Sequence, residues 1–187
     1  MASDVAARMA KLPWRVIGWG GAALLLALPF VAMQFQVTGV DWDPTDFAVF
    51  GLMLLMLGVP LELAARANEG WSYRGGAALG LLGMLLTVWA NLAVGIVGSE
   101  DNPANMLFFG ALLVGVVGSV VARGRAKGLA LAMFLTAASL GVAFVVASAG
   151  PTDEPMVKHS TETLGTAIFA GLFLGSAALF RKAARDA

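Results

Sequence analysis

Cysteine is absent from this 187-residue sequence, and histidine and tyrosine occur once each. Without thiols there are no disulfides, thiolate metal sites or iron–sulfur ligands, and the redox character of the compartment cannot be read. With His159 the sole imidazole, a haem held by two histidines of the chain is excluded, and a zinc site would lack the several converging ligands it needs. Charge is scarce too, at 13% of residues and balanced at twelve of each sign, against about 25% in soluble domains. The Lys and Arg sit in short clusters beside apolar runs, with no extended basic face, which excludes nucleic acid as a partner. Sequences diagnostic of catalysis are missing: there is no G-x-S-x-G, H-E-x-x-H or Walker A loop, and no paired intramembrane Asp. An enzyme is the least favoured class.

What is present is apolar. Hydrophobic residues make up 59% of the chain and mean hydropathy is +0.82, more apolar surface than a soluble domain of this size can hide. Arg8, Lys11 and Arg15 precede the first apolar run, as in a secretory signal. The run, residues 16–33, is too long for a signal core and no A-x-A site follows it, so it reads as a retained first helix. Helices are expected at roughly 14–35, 45–66, 73–97, 104–122, 127–149 and 161–181, giving an all-α, six-transmembrane-helix bundle in one domain spanning 1–187. Arg8, Lys11, Arg15, Arg66, Arg74, Arg123, Arg125, Lys127, Arg181, Lys182 and Arg185 then share one side, with Lys158 alone opposite. Basic residues in short loops stay cytoplasmic, so both termini are expected inside and the 36–44, 98–103 and 150–160 connections outside. Trp14, Trp42 and Trp71 fall near the expected interfaces.

The even-numbered helices open with caps. Asp43-Pro44 and Asn102-Pro103 pair an acceptor with Pro at the first helical position, and Ser160 can cap helix six, with Glu162 in its first turn. Laying helix two on helix four superposes Asp46 on Asn105, Phe50-Gly51 on Phe109-Gly110 and Leu54 on Leu113. Gly20-Gly21-Ala22-Ala23-Leu24 recurs as Gly75-Gly76-Ala77-Ala78-Leu79. The pattern suggests three tandem helical hairpins in a pseudo-threefold arrangement. Gly76-x-x-x-Gly80, Gly171-x-x-x-Gly175, Gly115 and Gly118 offer small-residue faces for close helix contact, within the monomer rather than at a homodimer seam.

Two groups of polar residues are candidates for function. The outer side gathers Asp41, Asp43, Asp46, Glu100 and Asp101, oxygen donors that suit calcium if the two loops meet, although capping and topology already account for most of them. Within the spans stand Glu62, after Pro60, and Asn91, close to Trp89, with Asn105 at the start of helix four. An ionisable or amide group in lipid is by default a functional candidate. The competing reading for Glu62 is an ion pair with Arg66 at helical spacing near the inner interface. For Asn91 it is an interhelical bond to Thr136 or Ser139.

The run from Trp89 through Asn91, Gly95, Gly98-Ser99-Glu100-Asp101-Asn102-Pro103 to Asn105 resembles a segment of small multi-pass proteins encoded in bacterial genomes, with a fainter echo in Asp41-Trp42-Asp43-Pro44-Thr45-Asp46-Phe47. The resemblance implies a bacterial inner membrane and carries no activity. Three functions stay open: a small transporter or channel for a cation or polar solute, an accessory or scaffold subunit of a larger membrane complex or homo-oligomer, and a binder of lipid, quinone or another hydrophobic cofactor with Trp89 and Asn91 as one wall.

Overall fold

The computed structural model of the chain describes residues 14–67, 70–149 and 159–186. The basic residues Arg8 and Lys11, most of the 150–160 connection with Lys158, and the side chains of Trp14, Arg15, His159 and Ser160 lie outside what is described. The expected Ser160 cap and the His159 reading fall there.

The described residues form α1 (Trp14–Gln34), α2 (Pro44–Ala67), α3 (Trp71–Ala93), a 3₁₀ turn (Pro103–Asn105), α4 (Met106–Ala122), α5 (Ala126–Ala149) and α6 (His159–Ala183), with no strand among them. Five segments are long and apolar enough to cross a bilayer: Pro44–Ala67, Trp71–Ala93, Pro103–Ala122, Ala126–Ala149 and Thr161–Ala183. They mark a multi-pass membrane protein, because a helix of about 20 apolar residues satisfies its own backbone across the hydrocarbon. α1 carries a shorter apolar stretch, Gly18–Gln34.

The chain falls into two compact units, residues 1–62 and 63–187. In the first, α1 and α2 meet through single large side chains. The Trp19 ring lies over Gly58, where an added Cβ would come within 2.9 Å of it, and Leu26 lies against Gly51. Pro29 and Pro60 sit inside these helices, each removing one backbone donor. α2 buries no residue.

The second unit is a four-helix bundle in which α3 packs along α6, α6 along α5 and α5 along α4. α3 and α4, the expected second hairpin, touch much less along their length. Glycine sets the close approaches. Gly76 faces the Phe180 ring, Gly80 faces Met133 and Ser176, and Gly83 faces Phe173, so α3 and α6 run antiparallel in a fixed register. Gly115 against Thr136 and Gly118 against Ala132 do the same for α4 and α5. These faces are used inside the monomer, as lipid-embedded helices require where no hydrophobic force brings them together. By contrast, Gly20, Gly21 and Gly171 have no neighbour within 4 Å, so the α1 counterpart of Gly75-Gly76 is not packed in the same way.

Phe108, Phe173, Leu140 and Val97 are the large fully buried side chains of this unit. One end of the bundle is held by Tyr73, whose hydroxyl donates to the Gly124 carbonyl at 2.8 Å and whose ring meets Phe180 edge-on. Gly124 follows the left-handed Arg123 that closes α4. The other end carries the 94–105 connection and is where polar groups collect.

Helix limits match expectation within a few residues except at the end of α3, which stops at Ala93 instead of continuing to residue 97. Gly95 turns to φ +74°, and the amides of Ile96 and Val97, which a longer helix would use, are taken by Asn105.

Candidate functional site

Asn105 organises the loop-bearing end. It is 4% exposed. Its Oδ1 accepts from the Ile96 and Val97 amides at 3.1 and 3.0 Å, and its Nδ2 donates to the Val97 and Ser99 carbonyls at 3.3 and 2.7 Å. Four of the side chain's hydrogen-bonding positions thus stand in for the backbone pairing that the chain gives up when α3 ends. The Asn105 carbonyl in turn accepts from Asn91 Nδ2 at 3.0 Å, tying α3 to the start of α4. Asn102 caps that start through its Oδ1, which accepts from the Ala104 amide at 2.9 Å.

α6 closes the same end. Glu162, in its first turn and 9% exposed, accepts the Gly98 amide at 2.9 Å through Oε1. A carboxylate here complements the helix dipole and satisfies a loop donor at once. Beside it opens a cavity of about 390 Å³ lined by Ala90, Val94, Gly98, Glu162, Gly165 and Phe169 among others. A mostly apolar hollow with one carboxylate and a few backbone polar groups has the composition of a small-molecule site.

The sequence candidates divide sharply. Asn91 and Asn105 come together, and Asn91 bonds to the Asn105 backbone rather than to Thr136, whose hydroxyl returns to its own Ala132 carbonyl. Trp89 is 59% exposed while Asn91 is 3% exposed, so the two do not form one wall. They stand two residues apart on a helix, about 200° around its axis. Glu62 belongs to the first unit, where its Oε2 accepts from Trp19 Nε1 at 2.8 Å. Glu162, read at first only as a dipole partner, is the acidic group at the cavity. Its distance from the loop in sequence hid the contact.

The acidic candidates are occupied locally or exposed. Asp43 Oδ1 accepts from the Thr45 and Asp46 amides, and Asp46 Oδ2 reaches back to the Asp43 amide at 2.9 Å, a reciprocal cap on α2. Asp41, Glu100 and Asp101 are exposed, and no three His, Cys, Asp or Glu side chains converge on a possible metal position among the described residues. The amides of Asp46 and Thr45 hold the Asp43 carboxyl below its usual value of 3.8. A depressed carboxyl stabilises the cap above its unfolded pKa and loses that contribution as pH falls through the folded value. The Thr45 and Asp46 amide resonances should therefore titrate with a midpoint below 3.8; a midpoint at or above it would show that the cap does not form.

No known protein-family model, curated protein or solved structure matches the chain.

Proposed function

We propose that this protein is a six-span protein of a bacterial inner membrane, both termini cytoplasmic, that binds a small cation or polar solute at the outer, loop-bearing end of its four-helix unit as part of its transport. The orientation is supported by the one-sided Lys and Arg distribution, and the tandem-hairpin arrangement by the matching Oδ1 caps of Asp43 and Asn102. The observation that carries the reading is Glu162, a carboxylate nine-tenths buried at the edge of a mostly apolar cavity. An ionisable group set into a membrane-spanning bundle is by default a functional candidate. Below it the core is filled: Thr87, Thr136 and Ser176 are fully buried and turned onto backbone carbonyls, beside Phe108, Leu140 and Phe173. On this reading, passage of a solute would need the helices to rearrange.

Gly165 gives the test. It lines the cavity, and a Cβ added to it meets nothing within 4 Å, so a larger side chain can start there without a clash at its base, and tryptophan is the residue to block the hollow. Native mass spectrometry of gently extracted protein is expected to show a small-molecule adduct on the wild type that Gly165→Trp lacks. A wild type with no adduct, or one that keeps it with Trp at 165, would sink the solute reading. The second reading, an accessory subunit, is favoured by α2, which buries no residue and leaves Val49, Leu52, Leu55, Met56, Val59 and Leu63 exposed. A stoichiometric protein partner in the same spectrum would put it first.

A further inference from the structure

Buried hydroxyls in the four-helix unit follow a common habit. Thr87 donates to the Gly83 carbonyl at 2.7 Å, Thr136 to the Ala132 carbonyl at 2.8 Å, and Ser176 across to the Gly76 carbonyl at 2.6 Å. A hydroxyl in lipid turns to a backbone oxygen because leaving it unbonded costs more. Thr166 breaks the habit: it is 5% exposed, and its Oγ1, like Ser148 Oγ, has no hydrogen-bond partner among the described residues. Asn91 Oδ1 is in the same state. Its orientation is not arbitrary, because an amide turned the other way would set two acceptor oxygens against each other at the Asn105 carbonyl.

The helix register puts these two residues at a similar level. The register that sets Gly76 against Phe180, Gly80 against Ser176 and Gly83 against Phe173, carried two more turns toward the loop, sets Ala90 and Asn91 against Thr166 and Gly165. Both are on the buried faces of their helices. Glu162 is one turn farther along the same face of α6 and supplies a negative charge.

We propose that Asn91 Oδ1 and Thr166 Oγ1, with the Glu162 carboxylate, hold a sodium ion beneath the cavity. The inference deepens the cation and solute reading above and rests on it. Oxygen-only ligation selects a hard cation. Calcium takes about six to eight oxygens, more than these side chains supply, and magnesium would keep its own water shell. An ion here joins α3 to α6 beside the cavity and links its own binding to that of the solute through Glu162.

The experiment is thermal unfolding of the purified full chain in detergent, with NaCl raised from 1 to 100 mM and choline chloride keeping ionic strength constant. The wild-type midpoint is expected to rise by roughly 3–8 °C, with a much smaller rise when KCl replaces NaCl. Thr166→Val has nearly the same shape and removes only the oxygen. If that oxygen holds nothing, the variant is as stable or more stable at every salt composition and changes no sodium response. If it holds sodium, the variant folds and needs at least tenfold more sodium for the same rise, and Thr166→Ser restores the response. A wild type indifferent to sodium, as a bound water would leave it, overturns the site, and so does a Thr166→Val protein with the wild-type response. A sodium-dependent rise without a Gly165-sensitive adduct keeps the ion site and ends the solute reading; the adduct without the rise does the reverse.

Discussion

Asn105→Leu is expected to lower the unfolding free energy by about 3–5 kcal/mol, the largest effect of any single change outside the apolar core. The substitution strands the amides of Ile96 and Val97, which are 6% and 0% exposed, and the Val97 and Ser99 carbonyls to which Asn105 donates. Each buried group left unbonded costs about 1–3 kcal/mol, and the loop can recover part of this by loosening toward water. Asn105→Asp is not a conservative rescue. It keeps an acceptor for the two amides but sets an anionic oxygen against two carbonyls, so it should be as damaging as leucine. The absence of cysteine from the sequence makes a direct readout simple. A single cysteine at Val97 should resist a water-soluble maleimide in the otherwise unaltered protein and react when Asn105 is also leucine. A loss of less than 1 kcal/mol, or labelling equal in the two backgrounds, would mean that Asn105 does not hold the loop.

Gly95→Ala is the second large effect. Gly95 has φ +74°, a region where a side chain costs about 1 kcal/mol or more, and a Cβ there would strike the Ser99 carbonyl oxygen, a backbone atom that cannot swing aside. The sum should reach about 3 kcal/mol. Gly141→Ala is the matched comparison. Gly141 lies inside α5 with nothing within 4 Å, so alanine there should be neutral or stabilise by up to about 1 kcal/mol through helix propensity. Chemical or thermal unfolding of the pair in one detergent decides the matter: similar midpoints for the two variants would show that the Gly95 turn is not fixed.

The five long spans and the caps of α2 and α4 were legible because hydropathy and first-turn chemistry are local. The tight glycine faces of α3 and α4 were legible for a related reason, since small residues at helical spacing have few uses in lipid other than close packing. The end of α3 was not. Residues 93–97 are all apolar or glycine and extend the hydropathy of the helix without interruption. What ends the helix there is Asn105, eight and nine positions beyond the amides it takes. Gly95 and Gly98, both at positive φ, were the available signal. The separation of Trp89 from Asn91 was legible in principle, because two residues apart on a helix face opposite ways, whereas Thr87 and Asn91 at a spacing of four share the buried face. Glu162 at the cavity was beyond reach from spacing alone: it meets Gly98 across 64 positions, and nothing in either segment names the other.

The pairing of α3 with α6 also bears on biosynthesis. Translation delivers α3 well before α6, its principal neighbour, and the bond from Ser176 to the Gly76 carbonyl closes over 100 positions. The Asn105 contacts, by contrast, span fewer than ten positions and can form as soon as α4 follows α3 out of the ribosome. The nascent chain thus passes through a stage in which the loop is built but the Gly76, Gly80 and Gly83 groove faces lipid, ready for any small-faced helix nearby. Arrival of α6 closes that interval, so a helix made later completes the packing of one made much earlier.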